Sequence, residues 1–130
     1  MIQSHSTSNP ATISQYAAIK ALEEAEEDVA SMVRSYRSRR DLLYKLLSSI
    51  PGIMTYLPEG AFYFFPNIEK AIEGKFYSTL EFAEYLLNNY HTVVVPGEGF
   101  GAPGFIRISY ATSEENIIKG VENIKKALRI

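Results

Sequence analysis

Val93-Val94-Val95-Pro96-Gly97-Glu98-Gly99-Phe100-Gly101-Ala102-Pro103-Gly104-Phe105-Ile106-Arg107-Ile108-Ser109-Tyr110-Ala111 is the most informative stretch of the chain. It reads as an apolar strand, a loop with four glycines and two prolines, and a second strand. That second strand carries one cation, Arg107, between Ile106 and Ile108. A buried unpaired charge costs several kcal/mol or more, so Arg107 must reach water, pair with an internal carboxylate or receive an anionic ligand. A planar guanidinium suits a carboxylate, which it grips with two parallel N–H···O bonds. The glycines allow positive φ and close backbone approach, so the loop reads as one that brings backbone near a ligand or a partner chain.

Working outward, Thr112-Ser113-Glu114-Glu115 opens a final helix, with Ile117, Ile118, Val121, Ile124, Ala127 and Leu128 as its core face. On the other side, Ser78-Thr79-Leu80-Glu81 has the capping-box pattern and starts a helix that runs to Asn88-Asn89. Before it, Asn67–Tyr77 is a mixed connection broken by Gly74. The aromatic run Ala61-Phe62-Tyr63-Phe64-Phe65 is strongly β-prone and is expected to pair with Ile53–Leu57 as a hairpin around Pro58-Glu59-Gly60.

Neither Gly nor Pro occurs between Ala11 and Ile50, and the apolar positions there step mostly by three and four. The pattern predicts one helix of about 35 to 40 residues, roughly 50 to 60 Å long, with Asn9 capping its first turn and Pro10 at its start. So long a helix implies packing on more than this sequence contains, through an apolar face that is otherwise exposed or covered by self-association. The basic residues Arg34, Arg37, Arg39 and Arg40 read as a solvated face. The fold class is α+β, a long N-terminal helix plus a small mixed β-sheet covered by helices.

Composition narrows the function classes. The net charge of −2 provides no basic field for nucleic acid. No apolar run approaches the roughly 20 residues that span a bilayer, and the N-terminal residues are polar, so a cytoplasmic protein without membrane partners is expected. The absence of cysteine excludes disulfides and thiolate chemistry within these 130 residues. His5 and His91 are isolated, giving neither metal-ligand spacing nor a hydrolase triad, and no Gly-x-Ser-x-Gly elbow is present. Gly97-Glu98-Gly99-Phe100-Gly101 lacks the Lys-Ser/Thr of a P-loop and is followed by β-type residues.

Three segments, Pro58-Glu59-Gly60-Ala61-Phe62-Tyr63, Val94-Val95-Pro96-Gly97-Glu98-Gly99-Phe100-Gly101 and Phe105-Ile106-Arg107-Ile108-Ser109-Tyr110-Ala111, resemble consecutive motifs in the C-terminal part of class I/II (fold-type I) pyridoxal-phosphate aminotransferases. The aspartate-aminotransferase-like branch is the nearest likeness. Gln3–Pro10 and the helix after it resemble the family segment that follows the cofactor-binding lysine, so the likeness covers essentially the whole chain.

The resemblance implies a residue-by-residue reading. Arg107 matches the arginine that holds the substrate α-carboxylate. Ser8 or Asn9 falls near the family's cofactor site, with capping the plainer role for Asn9. The lysine that forms the Schiff base and the other cofactor ligands of the family have no match here. Residues 1–50 become a lead-in and an interdomain-type helix, residues 51–130 the small C-terminal domain, forming one compact unit without the large cofactor-binding domain. The implied activity is amino transfer between an amino acid and a 2-oxo acid, carried out by a homo-oligomer with pyridoxal phosphate. This chain alone is expected to be inactive and to bind no cofactor covalently. The competing reading is a non-catalytic, self-associating α+β module. Side-chain preference for the substrate is left open.

Overall fold

The described residues of the computed structural model are His5 and residues 9–130. The helical pattern before residue 50 forms two helices in place of one, α1 (Thr12–Glu24) and α2 (Glu26–Ser48). The interruption is a single residue, Ala25, with φ −93° and ψ 16°. Hydrogen bonds still run across it, from Ala25 N–H to Ala21 O (3.3 Å) and from Val29 N–H to Ala25 O (2.9 Å). Its place in the sequence has an electrostatic reason. Glu23/Glu27 and Glu24/Asp28 are like-charged pairs at four-residue spacing, which weakens the helix there. The break puts Glu26, Glu27 and Asp28 in the first turn of α2, where the helix dipole favours carboxylates.

Asn9 does not cap this helix. The N-cap of α1 is Ala11, without a side-chain cap bond, and Gln15 Nε2 instead donates to Pro10 O at 2.8 Å. No residue of α1 is buried, and Ile13, Tyr16, Ile19 and Leu22 are all exposed. These four step by three, so they wind around the helix and form no single stripe.

By their contacts the residues divide into two compact units, Met1–Ser35 and Tyr36–Ile130. Tyr36 is where α2 begins to pack, edge-to-face on Tyr110 with ring centres 6.0 Å apart. Leu43 and Leu47 follow it into the core.

In the second unit, a short strand β1 (Tyr63–Phe64) is followed by a one-turn helix α3 (Glu69–Ile72), then α4 (Thr79–Tyr90) and β2 (Val95–Pro96). A 3₁₀ turn (Gly97–Phe100), β3 (Ile106–Ser109) and α5 (Glu114–Leu128) complete it. The strand order is β1-β3-β2, with both ladders antiparallel, so the sheet expected to be mixed is antiparallel among the described residues.

The expected hairpin between Ile53–Leu57 and Ala61–Phe65 does not form. Met54 bridges to Asn67, which bridges in turn to Phe105, while β1 pairs with β3 through Tyr63↔Ser109 and Phe64↔Ile108. Pairing with β3 lets Phe64, fully buried, share the core with Ile106, Phe82 and Leu86.

Both later helix starts form as their sequence patterns indicate. Ser78 Oγ accepts from Glu81 N–H at 3.1 Å, and Ser113 Oγ from Asn116 N–H at 3.2 Å. The reciprocal bond of the first box runs one residue further back, from Tyr77 N–H to Glu81 Oε2 at 2.7 Å.

The core face of α5 differs in one place. Ile118 is exposed, and Asn123 is buried instead, donating to Tyr90 O and Thr92 Oγ1. Gly120 sits inside this helix with room to spare, since a Cβ there would meet only Thr92 Cγ2 at 4.0 Å. Gly120→Ala is therefore expected to stabilise the second unit by about 0.5–1 kcal/mol, read as a higher urea midpoint at unchanged slope.

Candidate functional site

Side chains alternate across a strand, so one pleat of β3 sends Ile106 and Ile108 toward the core and the other sends Arg107 and Ser109 to the opposite face. The neighbouring strands populate that second face. Tyr63 lies across from Ser109, diagonal to Arg107, and Val95 lies directly across from Arg107. Tyr63, Phe65, Phe100 and Arg107 together line a cleft of about 180 Å³.

Within it the Arg107 guanidinium carbon is 5.5 Å from the centre of the Tyr63 ring and 5.0 Å from that of Phe100. Among the described residues no carboxylate lies within 4.0 Å of Arg107, the ion pairs being Lys20–Glu24 and Arg40–Asp41. The sequence reading offered water, an internal carboxylate or a ligand as partners, and the structure adds aromatic faces. Each such contact contributes about 0.5–1 kcal/mol when exposed and about 2 kcal/mol when desolvated. That steadies the cation without neutralising it, and leaves its N–H groups available to a carboxylate.

The glycine loop is built differently from the sequence expectation. Its tightest approach is to the chain's own backbone: a Cβ on Gly97 would collide with Ala102 O and lie 2.6 Å from Phe105 O. Gly97 N–H donates to Phe105 O at 2.8 Å, and Gly97 O accepts from Ala102 N–H at 2.9 Å. Gly101 and Gly104 have positive φ, whereas Gly99 has nothing within 4 Å of its Cβ position.

Glu98 fastens this loop to α4. Its Oε1 accepts from Thr79 N–H (3.1 Å) and Leu80 N–H (3.4 Å), and its Oε2 from the Thr79 hydroxyl. These are free donors of a helix N-terminus, where negative charge is favoured.

Burial pushes the Glu98 carboxyl up. The Thr79 hydroxyl and the backbone groups of Glu98, Leu80 and Thr79 outweigh it, so the carboxyl titrates below its ordinary 4.5. A depressed folded-state value means stability that is present above the unfolded value and lost as pH falls through the folded one. The thermal midpoint should therefore exceed that of Glu98→Gln at about pH 6–7, and the gap should shrink as pH falls below 4.5 through the lowered folded value. A difference that persists at the acid end would contradict the carboxylate contacts.

On the far side of β3, the segment from Ala61 to Tyr63 is held by Tyr110. Its hydroxyl donates to Ala61 O at 2.9 Å and its N–H to Phe62 O at 2.8 Å. Burial pushes the Tyr110 phenol up. Ala61 has φ 62°, a strained value for a residue with a Cβ, and this turn delivers Tyr63 to the cleft.

Of the candidate residues, Arg107 occupies the cleft, Asn9 is exposed outside α1, and Ser8 lies outside the described residues. The seven lysines are elsewhere, Lys75 donating to Leu128 O at 2.6 Å. Tyr63, Phe100 and Glu98 were missed as site residues. Strand alternation could have placed Tyr63 on the Arg107 face, once its ladder partner was known to be β3.

The family model for aminotransferase class I and II matches residues 1–124. Aspartate aminotransferase from Bacillus sp. (strain YM-2) is 45% identical over 129 residues, which is 98% of this chain and 33% of that protein. A probable aspartate/prephenate aminotransferase from Aquifex aeolicus is 43% identical over 98% of this chain and 32% of its own length. Among solved structures, the aspartate aminotransferase from Rhizobium meliloti superposes with a TM-score of 0.88 at 38% identity, covering 98% of this chain and 34% of its own. The aromatic aminotransferase from Pyrococcus horikoshii gives 0.87 at 36%, again over 98% of this chain and 34% of its own. The chain thus spans about a third of the length of the relatives it matches. With its α+β architecture and the motifs around Arg107, this chain belongs to the class I and II aminotransferases.

Proposed function

We propose that this chain is the C-terminal domain of a pyridoxal-phosphate-dependent aminotransferase, a homo-oligomer that moves an amino group between an amino acid and a 2-oxo acid. In this reading Arg107 takes the substrate α-carboxylate in a bidentate grip. The observation that carries it is a guanidinium on the non-core face of the sheet, flanked by aromatic rings and without a carboxylate partner among the described residues. The names of the relatives add support. They include aspartate, asparagine–oxo-acid, aromatic and alanine aminotransferases, whose amino-acid substrates share an α-carboxylate and differ in side chain.

When bound, pyridoxal phosphate supplies the electron sink for bond cleavage at Cα. The Arg107 cleft does not fit the cofactor itself, since its lining is one guanidinium and three aromatic rings, with no amine for the aldehyde and no cradle for the phosphate. What this chain contributes is orientation: a carboxylate fixed at two points leaves the rest of the substrate with little rotational freedom.

A hybrid in which this chain replaces the matching third of the Bacillus sp. enzyme tests the reading. The hybrid is expected to transaminate, the 130-residue chain alone to give no turnover with pyridoxal phosphate, and Arg107→Ala to abolish most of the hybrid's activity. Full activity in that variant would overturn the assignment.

A further inference from the structure

We propose that Tyr63 and Phe100 are positioning residues, a two-ring clamp that holds the Arg107 side chain ready before any carboxylate arrives. This deepens, and rests on, the reading of Arg107 as the carboxylate site. Arginine is long and rotamer-rich, and a strand alone does not fix where its guanidinium stands. A carboxylate partner from the protein would fix it, but would also consume the fork that the substrate needs. An aromatic face attracts the charge through its quadrupole without accepting those N–H groups as a carboxylate does.

The two rings come from different elements, Tyr63 from β1 and Phe100 from the 3₁₀ turn, with ring centres at 5.5 and 5.0 Å from the guanidinium carbon. Each is braced by another aromatic. Phe62 meets Tyr63 edge-on at 5.8 Å, and Phe65 meets Phe100 edge-on at the same distance. Phe65 is stacked in turn on Phe105 at 5.2 Å. The turn that carries Phe100 is itself tied down at Gly97 and Glu98. Tyr63, Phe65 and Phe100 are exposed and line the cleft with Arg107.

The test uses the hybrid enzyme and the 130-residue chain in parallel. In the hybrid, Tyr63→Leu and Phe100→Leu keep apolar bulk but remove the ring, and each should raise KM for the amino acid about fivefold with kcat little changed. Tyr63→Phe and Phe100→Tyr keep a ring and should restore KM, which a merely structural role would not require. In the chain, the Arg107 Nε–Hε resonance should lie upfield because of the two rings and move downfield in each Leu variant. If the hybrid does not fold, this resonance decides the clamp: an unshifted position, or no response to the Leu variants, overturns it. If the Leu variants keep the original KM while Arg107→Ala raises it, the clamp fails and the carboxylate site stands. If Arg107→Ala leaves kcat/KM unchanged, the carboxylate site fails, and with it the positioning role.

Discussion

Gly97→Ala should destabilise the second unit by about 3 kcal/mol or more, lowering its thermal midpoint on the order of 15 °C. The added methyl would collide with Ala102 O and sit 2.6 Å from Phe105 O, and both are backbone atoms. A flexible side chain could swing aside, whereas these carbonyls are engaged. Phe105 O accepts from Gly97 N–H, and Ala102 O accepts from Phe105 N–H at 3.3 Å. Relief would have to come from opening the turn, which would loosen Phe100 over Arg107 and pull Glu98 from α4. Gly99→Ala is the matched control, because nothing lies within 4 Å of its Cβ position, and it should change stability by no more than about 0.5 kcal/mol. Equal stabilities for the two variants, measured by thermal unfolding, would show that the close approach at Gly97 is not real.

Arg107→Ala in the hybrid enzyme should lower kcat/KM about 100- to 1000-fold for every amino acid it accepts. Losing a charge-assisted bidentate contact to a substrate carboxylate is worth about 3–4 kcal/mol in a partly desolvated cleft, and 1.4 kcal/mol is a factor of ten. Arg107→Lys should recover only part of this, leaving a deficit of about tenfold. Lysine restores the charge as a point, without the planar fork or the ring stacking available to a guanidinium. Stability should fall by about 1–2 kcal/mol in Arg107→Ala, the worth of the two ring contacts, with no ion pair among the described residues to add to that loss.

The α+β class, the existence of most elements and the isolation of Arg107 as the one cation of its strand were legible in the sequence because they rest on local signals. Ser78 and Ser113 cap their helices as the residue pattern indicates, and one cation in an apolar strand draws attention without any structure. What failed was long-range. The hairpin expected at Pro58-Glu59-Gly60 is consistent with local turn chemistry, yet β1 pairs with β3, some 45 residues later in the chain, because that register buries Phe64 beside Ile106. The helix break at Ala25 depends on like-charged pairs whose combined effect the apolar period did not register. The glycine loop was recognised as a place of close approach, but the approaching group is the chain's own carbonyl backbone, which no count of glycines reveals.

The same limit applies within the site. Tyr63 and Phe100 are 37 residues apart in sequence, and each taken alone is one aromatic among sixteen. Only the ladder register and the folded turn bring them to one guanidinium.

The central claim, that Arg107 receives the substrate α-carboxylate, is tested most directly by a cycle in which the residue and the carboxylate are removed separately. kcat/KM of the hybrid and its Arg107→Ala variant would be measured for an amino acid and for the same compound with its α-carboxylate converted to a neutral amide. The predicted result is a loss of about 100-fold or more on Arg107→Ala with the acid but no more than about threefold with the amide, because the interaction is then already absent. Equal losses with both compounds would contradict it.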